Sequence, residues 1–165
     1  IEGGDGRVAA ASLVFDASGK RVARYDKIHL FDVDLPAAAE SYRESAHVAP
    51  GKRPQVIDTP AGRLGLAVCY DIRFPELFRL LSREGAEWFV LPSAFTGPTG
   101  EAHWETLLRA RAIENFAVLV APAPACKRAT DARRHDDRGL LGAHPRAAAG
   151  RARVRGGGAR SSGAS

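Results

Sequence analysis

Residues 63–79 read RLGLAVCYDIRFPELFR, and the parsing of this stretch decides the fold. Leu64, Leu66, Ala67 and Val68 form an apolar run of strand length. Pro75 suits the first turn of a helix, where its missing N–H leaves no bond unmade. Phe74, Leu77, Phe78 and Leu81 then recur at i, i+3, i+4 and i+7, which marks one apolar helix face. The stretch predicts a buried strand, a sharp turn and a helix to about Glu84, with Cys69 at the junction. A thiol on such a turn is held exposed among backbone N–H groups. The positive end of the following helix favours a thiolate and a developing oxyanion. The competing reading is a structural cysteine, since free cysteine is among the most buried residues.

Upstream, Arg7 to Asp16 reads as a strand, Asp16-Ala-Ser-Gly19 as a turn, and Lys20 to Tyr25 as a returning strand. The next segment, Tyr25 to Phe31, is extended and mixed in polarity. Lys27 within it is either a surface residue on an edge strand or a cation delivered into a pocket, where it can stabilise an oxyanion. Asp32 to Gly51 reads as a long irregular connection ending in Pro50-Gly51, and loops of that length are often functional. It carries Glu44 and Ser45. Gln55 to Asp58 is a short strand, and Thr59 to Gly62 a turn.

Downstream, Glu87 to Leu91 is a further apolar strand. Residues 92–100, PSAFTGPTG, form a turn-rich loop at its C-terminal end, where α/β proteins build sites. Thr99 is the expected cap of the next helix. Trp104, Leu107 and Leu108 share a face of it, and Glu105 and Arg109 form an i, i+4 pair. His103 reads as a base for Cys69 or, more simply, as a packed residue at the helix start. Phe116 to Ala121 reads as the last strand.

The chain has 165 residues, room for one domain with a real core, and carries 24 basic and 19 acidic side chains. The net charge of +5 is uneven. Residues 122–165 carry 10 basic and 3 acidic groups, so the part before them is slightly acidic. The tail has no Phe, Tyr or Trp and is rich in Arg, Ala and Gly. Such a composition does not bury enough apolar surface to offset ordering entropy. We therefore expect two regions: 1–121 folded, and 122–165 a basic, low-complexity tail, disordered but for a doubtful segment near Gly139 to Gly142. Two cysteines 57 positions apart do not suggest a disulfide framework, and no run has the length of a membrane span or the form of a signal peptide. A cytoplasmic setting without a membrane partner is the expectation.

Four blocks in order are YDKIHLFDVDLP, YRES followed by PG, AGRLGLAVCYDIRFPEL, and PSAFTGPTGEAHWETLLRARAIEN. Together they resemble the carbon–nitrogen hydrolases of the nitrilase superfamily. The resemblance implies an α/β fold, part of an α-β-β-α sandwich, usually paired as a homodimer through its outer helices. It implies a Glu, Lys and Cys catalytic set with a second Glu in several branches, no cofactor and no metal. Cys69 matches the nucleophile, Lys27 the lysine, and Glu44 the second glutamate. The backbone N–H of Tyr70 would join Lys27 in holding the oxyanion. Cys69-Tyr70-Asp71, in place of the Cys-Trp-Glu of true nitrilases, and RFPEL resemble the Nit branch. That branch acts on terminal amides of deaminated glutathione or of α-keto acid amides. Arg73 is set either to face a substrate carboxylate or to pair with Glu76 or Asp71.

No residue here matches the general-base glutamate that the family places well upstream of the lysine. The tail replaces the strands that should follow AIENFAVLVAPA, as a frameshifted reading would. The resemblance thus implies a truncated amidase, expected to be inactive in this form; the alternatives are a non-catalytic fragment or interaction module and, more remotely, a tail that binds nucleic acid. Lacking aromatic residues to stack bases, that binding would be non-specific and salt-sensitive. If the turn activates Cys69, iodoacetamide at neutral pH should label it faster than Cys126, which peptide mapping resolves. Equal rates would count against an activated thiol.

Overall fold

We describe the chain from a computed structural model, over residues 5–35, 40–95, 97–123 and 140–142. The strand and helix expected around Cys69 form at its centre. Two strands pair first as a hairpin, β5 (Val56–Thr59) with β6 (Gly62–Leu66). β6 then runs parallel to β7 (Trp88–Val90), and β7 parallel to β8 (Val118–Val120). Parallel neighbours need crossover connections. Helix α1 (Pro75–Arg83) supplies the first and helix α2 (Gly97–Asn115) the second.

The register shows which face the helices cover. Gly65, Phe89 and Leu119 stand side by side on β6, β7 and β8. Phe89 meets Phe78 of α1 edge-on, with ring centroids 5.2 Å apart. A side chain at Gly65 would place its Cβ 3.0 Å from Phe89 Cδ1 and 3.2 Å from Leu81 Cδ1. The missing side chain is what lets α1 seat on the sheet. Phe78, Leu81, Phe89, Leu108 and Leu119 are all buried there, and each full burial contributes about 1.5–3 kcal/mol. Leu64, Leu66 and Val90 point to the opposite face, because side chains alternate along a strand.

A second β layer reaches the same core. β1 (Ala11–Phe15) and β2 (Arg21–Asp26) form an antiparallel hairpin with Val14 opposite Ala23. Its turn is fixed by Asp16, whose Oδ1 accepts the backbone N–H groups of Ser18 and Lys20. Val14, Ala23 and the fully buried Tyr25 pack into the core cluster. Helices, sheet and hairpin make up the partial α-β-β-α sandwich.

Several expectations need correction. The segment 32–51 is not an irregular connection. β3 (Asp32–Leu35) and β4 (Glu40–Arg43) pair antiparallel, and a 3₁₀ turn follows over Glu44–Ala46. Polar contacts such as the Arg43–Asp34 ion pair at 2.9 Å help hold this hairpin, and with four-residue strands its Val33/Leu35 alternation was too short to read as a strand. α2 begins at Gly97, ahead of Thr99, which is therefore not its cap. It ends at Phe116, which adopts φ 51°, a left-handed position usually filled by glycine. β8 is not the last strand: β9 (Leu140–Gly142) pairs antiparallel with it, Leu119 opposite Leu141. That strand falls in the segment set apart near Gly139 to Gly142. The expectation for the rest of the tail beyond Ala123 lies outside the described residues.

Gly65→Val should destabilise the chain by about 1–3 kcal/mol, the usual cost of overpacking a filled contact. Urea denaturation measures it, and an unchanged midpoint would mean that α1 does not seat there.

Candidate active site

The site begins with the ladder that carries β6 past its own end. Ala67 N–H donates to Val90 O and Cys69 N–H to Pro92 O, each at 3.0 Å. Val68 is still extended, at φ −139° and ψ 119°. Cys69 then turns to φ 50°. A non-glycine residue in the left-handed region costs on the order of 1–3 kcal/mol and persists only where its surroundings fix it. A 3₁₀ turn over Cys69–Arg73 follows, and Pro75 opens α1. The sharp turn expected from the sequence is thus a 3₁₀ step between strand and helix. The first N–H groups of such a turn have no partner within it, and that of Tyr70 belongs to them. Cys69 is half-buried, and its Sγ lies 3.6 Å from the Ala94 carbonyl oxygen.

Lys27 reaches the same place from the end of the β1–β2 hairpin. Its main chain is held on both sides: its N–H donates to Ala10 O at 2.8 Å, and its carbonyl accepts Gly51 N–H at 2.7 Å. Gly51 has to be glycine, since a Cβ there would lie 1.9 Å from the Asp26 carbonyl oxygen. The Lys27 side chain is 3% exposed, and its Nζ sits 2.5 Å from Glu44 Oε2. The same oxygen accepts Phe31 N–H at 2.6 Å. A buried ammonium needs such a partner, because removing one member of a buried pair leaves an uncompensated charge. Of the two readings of Lys27, the pocket cation is the one that the geometry favours. Glu44 is held by these two donors, the Lys27 ammonium and the Phe31 N–H.

Lys27, Glu44, Cys69, Tyr70 and Arg73 border one cavity of about 550 Å³. Four aromatic side chains, Phe31, Tyr42, Tyr70 and Phe95, are among its walls. The Arg73 guanidinium lies 5.8 Å from the Tyr70 ring centre and 5.9 Å from that of Phe95. Its Nη2 is 3.2 Å from His103 Nδ1. Arg73 therefore does not pair with Asp71, whose oxygens are taken by other donors. His103 is exposed and does not border the cavity, so it is neither packed nor placed as a base for Cys69. A thiol, a buried cation and a guanidinium around one cavity suit attack on a carbonyl carbon, with the cation at the developing oxyanion. Among the described residues, no group of three His, Cys, Asp or Glu could hold a metal ion, and no helix is long and apolar enough to cross a membrane.

Sequence reasoning missed the roles of Asp71, Tyr25, His29 and Arg111 at the back of this site. Asp71 is fully buried and takes hydrogen bonds from Tyr25, Val68 and His29. Burial and the negative charge of Asp71 push the Tyr25 hydroxyl's pKa well above its usual value. The available signal was an acidic residue amid an apolar run, placed to reach back to the N–H at the start of its own turn. Arg111, also buried, braces the turn from α2: its Nε donates to Ile72 O at 2.8 Å.

Residues 2–152 match the family model for carbon–nitrogen hydrolases. The deaminated glutathione amidase of Yersinia enterocolitica is 57% identical over 116 residues, covering 70% of this chain and 41% of that protein. Omega-amidase NIT3 of Saccharomyces cerevisiae is 42% identical over 119 residues, covering 71% of this chain and 40% of that protein. The crystal structure of the C. elegans NitFhit protein matches with a TM-score of 0.66 at 47% identity, over 71% of this chain and 28% of that one. The chain spans less than half the length of these relatives. The family match covers the Lys27 segment, the Cys69 turn and both crossover helices, and the chain belongs to the carbon–nitrogen hydrolase family.

Proposed function

We propose that the cavity is the acyl-transfer site of an amidase acting on the terminal amide of a small carboxylate, such as deaminated glutathione or an α-keto acid amide. The observation that carries this is Cys69 at φ 50°, opening onto the cavity that the Lys27–Glu44 pair also borders. The names of the Yersinia and yeast relatives support the choice of substrate.

In this reading the Cys69 thiolate attacks the amide carbon. Lys27 and the Tyr70 N–H hold the oxyanion that forms. The intermediate collapses to a thioester as the amide nitrogen takes the proton given up by the thiol and leaves as ammonia, and water then releases the acid and restores the thiol. Arg73, over the aromatic wall, meets the substrate carboxylate. Glu44 is the carboxylate that borders the cavity among the described residues, and its two donors hold it as the anchor of Lys27. The family's proton shuttle is a glutamate that none of these 165 residues matches. The exposed apolar side chains Leu80 on α1 and Ile113 and Phe116 at the end of α2 support pairing through the outer helices.

The test is ammonia release from α-ketoglutaramate and deaminated glutathione. The chain is compared with an extended version that carries the glutamate-bearing upstream segment and the C-terminal half of a relative. The extended chain should turn over and lose about 10⁴-fold or more in Cys69→Ala. The unextended chain should be lower by a similar factor. Turnover by the unextended chain that Cys69→Ala abolishes would move the shuttle role to Glu44. No turnover by either form would sink the amidase reading. In the active form, Arg73→Ala should raise KM for these substrates by about tenfold or more, with little effect on a neutral amide.

A further inference from the structure

Asp71 joins the segment that carries Lys27 to the turn that carries Cys69. Its Oδ2 accepts the Tyr25 hydroxyl and the Val68 N–H, both at 2.8 Å. Its Oδ1 accepts the His29 N–H at 3.1 Å and lies 2.7 Å from His29 Nδ1. Tyr25 and His29 stand two residues to either side of Lys27, and Val68 immediately precedes Cys69. The His29 ring also stacks flat on Phe74, at 3.7 Å and 8°, just past the Cys69 turn. The Tyr25 oxygen in turn accepts Ile28 N–H at 3.3 Å. The backbone bonds of Lys27 itself run to Ala10 and Gly51, away from the turn.

We propose that Asp71 is a positioning residue, which sets Lys27 against the Cys69 thiol by clamping both flanks of the lysine to the root of the turn. The inference rests on Lys27 and Cys69 acting on one substrate, as read above. A buried carboxylate with several donors is stable only while those donors stay in place, since each one lost leaves an uncompensated group in a low-dielectric interior. Geometry at a reacting centre has to hold within about half an ångström. Two flanking bonds to one rigid acceptor supply that restraint without touching the substrate.

The test reads the cation at the thiol directly. Iodoacetate is anionic and iodoacetamide neutral, yet both alkylate the same thiolate. The ratio of their rates at Cys69 therefore cancels the extent of thiol ionisation and reports nearby positive charge. Cys126 in the same molecule corrects for the reagents. Lys27→Met should lower the ratio by about three- to tenfold, as one unit charge ~6 Å away gives at an effective dielectric of ~40–80. Asp71→Asn sets an NH₂ against a backbone N–H whichever way the amide turns, and should lower the ratio toward the Lys27→Met value. Tyr25→Phe removes one hydroxyl, keeps the buried ring, and should lower it part of the way. In a Lys27→Met background, Asp71→Asn should change it no further.

If Lys27→Met leaves the ratio unchanged, the joint reading of Lys27 and Cys69 fails. If Lys27→Met lowers it while Tyr25→Phe and Asp71→Asn reduce only thermal stability, the positioning role fails and Asp71 is merely structural. An equal effect of Asp71→Asn in the Lys27→Met background also overturns it. Should Asp71→Asn unfold, shown by loss of its circular dichroism, Tyr25→Phe decides.

Discussion

The left-handed turn at Cys69 is the constraint on which the site depends. A residue with a Cβ does not stay at φ 50° by preference, so several independent bonds have to fix it. The parallel ladder holds the entry, through Cys69 N–H to Pro92 O. Arg111 braces the exit through Ile72 O. Asp71 closes the inside through Val68 N–H. These anchors come from the segment just after β7, from α2 and from the turn itself, so the local strain is held by the packing of the domain core. This is why the thiol stands at the end of a buried strand rather than on a free loop.

Much of this was legible in the sequence because the deciding features are periodic. The apolar run at 64–68, the proline at 75 and the i, i+3, i+4, i+7 spacing after it specify the strand and α1. The β3–β4 hairpin was not legible, since its strands are only four residues each, the Val33/Leu35 alternation is too short to stand out, and none of its residues is buried. β9 was not legible either: three residues in an Arg- and Ala-rich segment carry no period, and only pairing with β8 identifies them. The start of α2 was misplaced because the residues before Trp104 are small or polar and give no face.

The site divides in the same way. Cys69, Lys27 and Glu44 were singled out by the resemblance of four ordered motifs to a family, not by residue type alone. Their relation was not legible, because it depends on bonds between residues distant in sequence. The sequence put Lys27 in an extended segment of mixed polarity but did not show that its neighbours Tyr25 and His29 both turn toward one carboxylate. His103 shows the converse error: a residue type associated with catalysis lies exposed beside Arg73, away from the cavity.

The bonds to Asp71 also bear on the order of folding. They close loops of 42 and 46 residues, whereas the β5–β6 hairpin and the α1 crossover form from near neighbours in the chain. Closing a long loop costs entropy before its contacts give anything back, so such contacts tend to form late. Until then Cys69 is held by no turn, Lys27 by no clamp, and the thiol behaves like any other cysteine in an unfinished chain. Its special character is a product of the last contacts made, and it would be the first thing lost in any opening that parts the hairpin from the helical layer.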